Sequence, residues 1–328
     1  MPVVYSTHVL HPAASALLEP HATLKVASAL DFETLTAESA DADIVIVRSN
    51  LPEAMFDAAR PLRAAIRHGA GLDMVPMEAA TAAGVIVANV PGVNARTVAE
   101  HVLFAAMALL RNFRVVDRDL RQKGWNPGRA HVVHGHELAG RTVGIVGMGD
   151  IGRQVARIAR DGFDLEVLAV ARPSSRPPED IAALPLEEVA GRADILVLSC
   201  PLTAETRGMV DAALIARMKQ SAILINVSRG AVIDDPALIG ALREGRIAGA
   251  ALDVFAEQPL PADHPYLGFD NVLVTPHMAG ISEESMMRMG VGAAEETLRV
   301  LDGLWPRNWR NPDVEARFTA RFGPMSNA

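Results

Sequence analysis

The sequence predicts an α/β protein made of two doubly wound, parallel-sheet domains. Three observations support this fold class. Short β-branched runs alternate with helical patterns almost throughout, the chain of 328 residues is long enough for two domains, and a glycine-rich turn lies in mid-chain at 147–152. Apolar runs without polar alternation are typical of strands buried on both faces, which favours parallel sheets joined by helical crossovers.

The elements follow in the order that this fold requires. A short strand-like segment begins near Val3, and the later candidate strands are 43–47, 64–67, 85–87, 143–146, 165–170, 194–198, 223–227, 249–252 and 272–274. An amphipathic helix is predicted over 95–114, because Val98, Val102 and Leu109 share one face. Residues 121–138 are predicted to be loop, and a last helix is predicted over 290–301.

The glycine turn itself lies between an apolar strand pattern and a helical pattern. Gly147 permits the tight turn, Gly149 lets a pyrophosphate approach the backbone, and Gly152 allows close helix–strand packing. Asp150 and Ile151 begin the helix, whose free amides attract phosphate. The pattern predicts a dinucleotide-binding domain of the Rossmann type.

Because this domain begins in mid-chain, another domain precedes it. We expect the last helix to pack back on that first domain and to make it discontinuous. The expected division is a substrate domain of flavodoxin-like type over 1–99 and 288–328, with the dinucleotide-binding domain inserted over 100–287.

Composition narrows the functional classes. A net charge of −8 argues against nucleic acid as the main partner, and no apolar stretch is long enough to span a membrane. The single cysteine, Cys200, and the absence of a signal peptide at the start predict a cytoplasmic protein. His131, His134 and His136 lie close together but lack a carboxylate or helical spacing, so we expect no metal.

Several segments together resemble one known family, the D-isomer-specific 2-hydroxyacid dehydrogenases. They extend over nearly the whole chain: 47–49, 68–73, 94–101, 147–152, 201–203, 226–230, 253–255 and 275–280. The resemblance implies an NAD(P)-dependent enzyme that interconverts a 2-keto acid and a D-2-hydroxy acid. It also implies a homodimer formed through the helix near 95–114.

The resemblance assigns the two main catalytic roles to Arg229 and His277. Arg229 follows a buried strand, and its planar guanidinium can grip a carboxylate and polarise the adjacent carbonyl. His277 can give and take a proton near neutral pH. The loop containing Ala70 and Gly71 is expected to present backbone amides to the substrate, with Arg48 as a further substrate-binding residue.

One catalytic position departs from the family pattern. Members usually carry a glutamate before the proline in this segment, whereas this chain has Gln258 before Pro259. A neutral amide can orient the imidazole of His277 but offers it no opposite charge. Either Gln258 is the partner of His277, or a backbone shift turns Glu257 inward; we favour Gln258, since its register matches the family without a gap.

The cofactor site also departs from the NAD pattern. NAD enzymes carry an acidic residue after the second strand, but here the strand 165–170 is followed by Arg172, Ser174, Ser175 and Arg176. Because arginine attracts a 2′-phosphate, NADP is favoured over NAD. The resemblance implies further cofactor contacts at Cys200, Pro201, Val227, Arg229, Asp253, His277 and Gly280.

Substrate identity remains open between related classes. Phosphoglycerate dehydrogenases tend to carry two basic residues in the segment that here contains only Arg48, and we expect no regulatory domain after the last helix. A small unphosphorylated acid such as glyoxylate or hydroxypyruvate is therefore favoured. The alternatives are a phosphoglycerate dehydrogenase-like enzyme, a formate dehydrogenase-like enzyme, which would also carry glutamine beside the histidine, and a cofactor-sensing binding protein with little turnover.

Overall fold

A computed structural model describes residues 1–171 and 177–327. The strands are β1 (Val3–Ser6), β2 (Thr23–Val26), β3 (Ile44–Val47), β4 (Ala64–Arg67), β5 (Ile86–Asn89), β6 (Thr142–Val146), β7 (Glu166–Val170), β8 (Ala182–Ala183), β9 (Ile195–Leu198), β10 (Ile223–Asn226), β11 (Gly249–Leu252) and β12 (Val272–Val274).

The helices are α1 (Pro12–Leu18), α2 (Phe32–Glu38), α3 (Met77–Ala82), α4 (Ala95–Leu110), α5 (Phe113–Lys123), α6 (Trp125–Arg129), α7 (Asp150–Phe163), α8 (Leu186–Arg192), α9 (Ala212–Ile215), α10 (Asp235–Arg243), α11 (Glu283–Leu301) and α12 (Glu315–Phe322). Short 3₁₀ turns lie between several of them. None of the helices in the described ranges is both long and apolar enough to cross a bilayer.

The chain divides into two compact units. The first contains Met1–Asn94 and the chain from Ser282 onward, and the second is the continuous stretch Ala95–Ile281. Both crossings lie next to the start of a helix, so α4 and α11 each stay whole within one unit. The expected boundaries at 99/100 and 287/288 fall inside those helices.

The first unit contains a five-stranded sheet in the order β2-β1-β3-β4-β5, with every pairing parallel. Ile44 and Ile46 of β3 pack on the face covered by α1, α11 and α12, whereas Val45 and Val47 pack on the opposite face. This alternation explains why the strand is apolar at every position. The strand order is the flavodoxin-like one predicted.

The second unit contains a seven-stranded parallel sheet in the order β12-β11-β10-β9-β6-β7-β8. Helices α4 and α7 cover one face and α8, α9 and α10 the other. From β6 the chain first adds β7 and β8 on one side and then β9 to β12 on the other side, so the order of the strands reverses between β6 and β9. Doubly wound sheets bind ligands at such a reversal, and the glycine turn follows β6 there. The predicted fold class is confirmed.

The prediction over 95–138 was wrong in two places. The helix predicted to end at 114 ends at Leu110, and Asn112 adopts a left-handed conformation with φ of 50°. Asparagine tolerates this conformation, so it allows a second helix to start. Helices α5 and α6 occupy part of the predicted loop. This segment has little apolar pattern, because α5 is mostly charged and carries ion pairs such as Arg121–Asp117.

Four further elements were missed or misplaced. Helix α11 begins at Glu283, not at 290, because Ser282 and Ser285 form a capping box. Gly290 lies inside the helix, where an added Cβ would stand 3.0 Å from the Cβ of Ala14 on α1. Helix α12 lies in the predicted tail, and strands β2 and β8 were missed because they are short edge strands with little burial.

Candidate active site

Three neighbouring strands of the second unit end beside the residues that the sequence singled out. β10, β11 and β12 lie side by side and parallel, so their carboxyl ends share one edge. Arg229, Phe255 and His277 each come three residues after the end of one of these strands. Since adjacent strands are about 4.8 Å apart, the strands that carry Arg229 and His277 lie about 10 Å apart.

Arg229 is half-buried and its backbone is fixed by a small polar network. Asn226, the fully buried last residue of β10, donates from Nδ2 to the carbonyl of Arg229 at 3.0 Å. Its Oδ1 accepts from the Ser228 hydroxyl at 2.7 Å and from the Ser228 amide at 3.0 Å. The guanidinium donates from Nη1 to the Ser228 carbonyl at 2.7 Å.

Gly230 brings this network against the next strand end. A Cβ at Gly230 would lie 1.9 Å from the carbonyl carbon of Phe255 and 2.2 Å from the amide nitrogen of Ala256. No side chain fits in that space, so only glycine lets the two backbones approach. The position of Arg229 is therefore tied to the segment that carries Gln258.

His277 and Gln258 are brought together by the structure. Nδ1 of His277 lies 3.1 Å from Oε1 of Gln258, and Nε2 of Gln258 donates to the Phe255 carbonyl at 3.3 Å. That carbonyl can only accept, so the amide nitrogen must face it and Oε1 must face the imidazole. Nδ1 then carries the proton, and Nε2 is the basic nitrogen of the neutral ring. Glu257 is exposed.

The backbone of His277 is unusual for a residue other than glycine. Its φ is 55°, and its amide donates to the carbonyls of Asp253 and Thr275 at 2.9 and 3.0 Å. A non-glycine residue in this conformation is uncommon and needs support from its surroundings. The adjacent strand end, through Asp253, supplies that support.

Asp253 holds the turn that carries His277. The carboxylate is 2% exposed; Oδ1 accepts from the Thr275 hydroxyl at 2.6 Å and the Met278 amide at 2.8 Å, and Oδ2 accepts from the Ala279 amide at 2.9 Å. His101 of α4 lies near this group, with Nε2 3.5 Å from the Thr275 hydroxyl. Burial lowers the pKa of His101, and the Asp253 charge opposes that shift.

The glycine turn shows three different environments. Gly147 has φ of 100°, and a Cβ there would lie 2.8 Å from the backbone of Cys200. A Cβ at Gly152 would lie 2.1 Å from the carbonyl oxygen of Gly147, whereas one at Gly149 would meet no protein atom within 4 Å. Gly149 precedes exposed Asp150, the first residue of α7. These environments fit the pyrophosphate of a dinucleotide, which needs close approach at the second glycine.

The remaining cofactor positions lie along the same edge of the sheet or outside the described residues. Buried Cys200 and exposed Pro201 follow β9, buried Val227 follows β10, and half-buried Gly280 follows the His277 turn. Ile151 lies half-buried in the first turn of α7. Arg172 and Ser174, on which the NADP prediction depends, lie outside the described residues, as do Ser175 and Arg176.

In the first unit, the loop that contains Ala70 and Gly71 is anchored through its carbonyl oxygens. Arg67, the last residue of β4, donates to the carbonyls of Val47, His68 and Gly71 at 2.9, 2.6 and 2.9 Å. Asn89 at the end of β5 donates to the Ala70 carbonyl at 2.6 Å. Arg67 and Asn89 were not predicted as site residues, although a polar residue at the end of a buried strand is a usable signal.

Arg48 lies at the end of β3, also in the first unit. Its Nη1 donates to the Val9 carbonyl at 3.2 Å, burial lowers its pKa, and no carboxylate among the described residues pairs with it. The neighbouring His68 is 2% exposed, and burial, with the charges of Arg48 and Arg67, lowers its pKa to about 3. His68 is thus neutral at pH 7, and Arg48 keeps an uncompensated positive charge suited to an anionic group.

The histidines at 131, 134 and 136 do not form a metal centre. Nε2 of His131 lies 3.0 Å from Oδ2 of Asp119, a buried carboxylate that also pairs with Arg118 and Lys123. Over 1–171 and 177–327, no group of three or more histidine, cysteine or acidic side chains is arranged to hold a metal ion.

A glycine turn of this geometry, on the same sheet edge as a guanidinium and an imidazole, suits a dinucleotide-dependent oxidoreductase. A family model described as "D-isomer specific 2-hydroxyacid dehydrogenase, NAD binding domain" matches residues 103–279. Glyoxylate reductase of Aeropyrum pernix is 35% identical, with coverage of 95% of this chain and 97% of the relative. The chain belongs to the D-isomer specific 2-hydroxyacid dehydrogenase family, so the predicted family and enzyme class are confirmed.

Two other relatives bear on function. D-3-phosphoglycerate dehydrogenase of Methanocaldococcus jannaschii is 36% identical over 97% of this chain, but the chain spans only 61% of that relative's length. The crystal structure of an NADPH-dependent glyoxylate/hydroxypyruvate reductase from Sinorhizobium meliloti, in complex with citrate, is 28% identical and superposes with a TM-score of 0.83. The superposition covers 95% of this chain and 99% of the reductase chain.

Alanine substitutions at Gly149, Gly152 and Gly162, in the glycine turn and helix α7, should separate effects on cofactor binding from effects on folding stability. Gly149→Ala should leave the Tm unchanged but weaken NADPH binding at least about tenfold, because its methyl group meets no protein atom yet occupies the space of the phosphates. Gly152→Ala should lower the Tm by several degrees, since its methyl group collides with the Gly147 carbonyl.

Gly162→Ala is the matched control, because it lies at the far end of α7 and its added methyl group meets nothing within 4 Å. Its Tm should hold or rise slightly and its affinity for NADPH should be that of the parent. The measurements are differential scanning fluorimetry and fluorescence titration with NADPH. Equal affinities for Gly149→Ala and Gly162→Ala would contradict the assigned phosphate site.

Proposed function

We propose that the protein is an NADP-dependent reductase of small 2-keto acids, forming D-2-hydroxy acids, with glyoxylate and hydroxypyruvate as the favoured substrates. The observation that carries the proposal is the placement of Arg229 and of the His277–Gln258 pair at the ends of neighbouring strands. The similarity to glyoxylate reductases over nearly the whole chain supports the substrate class.

Arg229 binds the substrate carboxylate in this proposal. A planar guanidinium can donate two parallel hydrogen bonds to a carboxylate, and the same charge polarises the adjacent carbonyl. Its backbone is held by Asn226 and by the contact of Gly230 with Phe255, so little orientation is lost when substrate binds.

His277 exchanges the proton through Nε2. The Gln258 amide fixes the ring and keeps the hydrogen on Nδ1, which directs Nε2 to the substrate oxygen. In reduction, the protonated ring donates from Nε2 to the carbonyl oxygen; in the reverse reaction, the neutral ring accepts from the hydroxyl. A nicotinamide cofactor, when bound, supplies or accepts the hydride.

The substrate-binding roles predicted for Arg48, Ala70 and Gly71 belong to the same proposal. The loop is held by its carbonyl oxygens through Arg67 and Asn89. Arg48 has no carboxylate partner among the described residues, and one cation of this kind suits a small anionic or hydroxylated substrate better than a phosphate monoester, which usually needs more than one cationic group.

The proposal includes a homodimer in a reducing compartment. Large apolar side chains remain exposed along α4 and α5 and in the segment that follows: Phe104 is 53% exposed, Phe113 57% and Trp125 68%. Such a row is typical of an interaction surface, and a second copy of the chain would cover it. The lone buried cysteine, Cys200, suits a cytoplasmic location.

The direct test is a panel of glyoxylate, hydroxypyruvate, phosphohydroxypyruvate and formate with each cofactor. The keto acids without phosphate should turn over fastest.

His277→Asn should lower kcat by about 10²–10⁴-fold with little change in KM, because it removes the proton exchange. Arg229→Lys should raise KM and lower kcat together, since a lysine cannot grip the carboxylate with two parallel bonds. Tight NADPH binding without turnover of any substrate would instead indicate a binding protein.

The cofactor preference follows from the sequence after β7. No carboxylate is present between Ala171 and Arg176, so nothing repels a 2′-phosphate. We expect kcat/KM to be at least about tenfold higher with NADPH than with NADH, and Arg172→Glu should reverse the order. Initial rates with both cofactors decide the matter; a clear NADH preference in the parent protein would refute it.

Gln258→Glu should move the pH profile of keto-acid reduction. A glutamate adds an opposite charge beside His277 and favours the protonated ring, so the proton donor persists to higher pH. The alkaline limb of kcat/KM should therefore shift upward by about one pH unit or more. Glu257→Gln, at the exposed neighbouring position, is the matched control and should leave the profile in place. An unchanged profile in Gln258→Glu would disprove a proton-donor pair.

A further inference from the structure

We infer that the second unit binds a small organic dianion, a short dicarboxylate, in a cavity at the sheet edge opposite to the candidate active site. The cavity has a volume of about 390 Å³ and combines apolar walls with two arginines, Arg114 and Arg141. A volume of this size is typical of small-molecule sites. The inference goes beyond the proposed function and is independent of it, because it uses none of the residues to which that function assigns a catalytic or binding role.

The cavity lies at the amino ends of the strands whose carboxyl ends carry Arg229 and His277. Ile223, the first residue of β10, and Leu273 of β12 both line it. Strand β10 alone extends over about 10 Å, since each residue of a strand advances by about 3.3 Å. The cavity and the two proposed catalytic residues are therefore on opposite edges of one sheet.

Apolar side chains form part of the cavity wall. Leu109, near the end of α4, and Leu273 are both half-buried, so part of their surface is left uncovered, and Ala108 and Ile223 lie beside them in the wall. A short hydrocarbon chain that covers these side chains removes apolar surface from water, which favours binding. The middle of the ligand is therefore expected to be apolar.

Arg114 and Arg141 approach the cavity from two sides. Arg114, in the first turn of α5, donates from Nη1 to the carbonyls of Phe269 and Val272 and so lies at the start of β12. Arg141 directly precedes β6, and its Nε donates to the Glu137 carbonyl at 2.7 Å. The starts of β12 and β6 are four strand positions apart, or about 19 Å. Two guanidinium groups that extend toward each other from these points suit a ligand with a carboxylate at each end.

The charges of the cavity favour an anion. Among the described residues, no carboxylate pairs with Arg114 or Arg141, and both arginines bond to neutral carbonyls. Asp270 is the one acidic side chain among the described residues that line the cavity, and both of its carboxylate oxygens accept from Arg118. The cavity is thus positively charged in a chain whose net charge is −8, and it attracts anions from solution.

Two of the clustered histidines gain a place in this arrangement. His134 and His136 line the cavity, and an imidazole N–H can donate to a carboxylate in the neutral and in the protonated ring. The backbone of His136 is fixed, because its amide donates to the Leu110 carbonyl at the end of α4 at 2.8 Å and its carbonyl accepts from Nε of Arg111 at 2.9 Å. This part of the wall is therefore preformed.

The experiment uses the full-length protein and three probes with the same five-carbon chain: glutarate, pentanoate and 1,5-pentanediol, which carry two carboxylates, one and none. Isothermal titration calorimetry should show saturable binding of glutarate, at least about tenfold tighter than that of pentanoate, and no binding of the diol. Added salt should weaken the binding of glutarate, because the attraction is between charges.

Ser221→Glu and Ser221→Gln separate the effect of charge from that of volume. Ser221 is exposed and lines the cavity. Glutamate adds a negative charge there and should weaken glutarate binding at least about tenfold, whereas glutamine, of nearly the same size, should change it by less than about threefold. Arg141→Gln removes one of the two cations and should also weaken binding about tenfold. The Tm of each variant shows whether it is folded.

Arg229 also attracts carboxylates, so the titration is repeated with Arg229→Gln, in which glutarate binding to the cavity should persist. Binding that Arg229→Gln abolishes and Ser221→Glu leaves unaltered would overturn the inference, and so would the absence of saturable glutarate binding to the parent protein. Equal affinities for glutarate and pentanoate would refute a dianion site. The proposed function is tested separately, because Ser221→Glu should reduce glyoxylate at the rate of the parent protein when no glutarate is present.

Discussion

The backbone of Phe255 is the constraint on which the candidate site depends. On one side, its carbonyl carbon leaves no room for a Cβ at position 230, which ties Arg229 to the adjacent strand end. On the other side, its carbonyl oxygen accepts from Gln258 and so determines which atom of the amide faces His277. One peptide group thus holds the backbone of Arg229 and determines that Oε1 of Gln258 faces the imidazole of His277. Because a backbone carbonyl cannot titrate or change its polarity, this orientation of the Gln258 amide does not vary with pH.

Much of the architecture could be predicted because both sheets are parallel and buried on both faces. Burial of both faces makes a strand such as β3 apolar at every position, and such runs can be read from the sequence. The glycine turn was equally accessible, since Gly147 and Gly152 each occupy a position with no room for a side chain, whereas Gly149 borders open space. The short edge strands β2 and β8 were missed because they are largely exposed and therefore lack a run of apolar residues.

The positions of Arg229 and His277 at strand ends could be predicted from the sequence, but the residues that hold their backbones could not. Arg229 and His277 follow strand ends, and parallel topology brings strand ends to one edge. Asn226, Arg67 and Asn89 act on backbone carbonyl and amide groups, whose positions depend on the folded loops. A sequence does not show which backbone carbonyl of a loop will lack a backbone hydrogen-bond donor. Polar side chains that bond to such carbonyls therefore cannot be distinguished in the sequence from other buried polar groups. The pairing of Gln258 with His277 likewise needed the orientation of the Phe255 peptide.

The second unit is inserted as one piece between the two chain segments of the first unit, which bears on how the two units can evolve. The second unit is a single uninterrupted stretch, Ala95–Ile281, with hydrophobic cores on both faces of its own sheet. It enters and leaves the first unit beside the intact helices α4 and α11. Recombination at these two junctions would exchange the nucleotide module as a cassette without altering any strand pairing of the host sheet. The stretch matched by the NAD-binding domain model lies between the junctions and could thereby diversify independently of the scaffold that surrounds it in the gene.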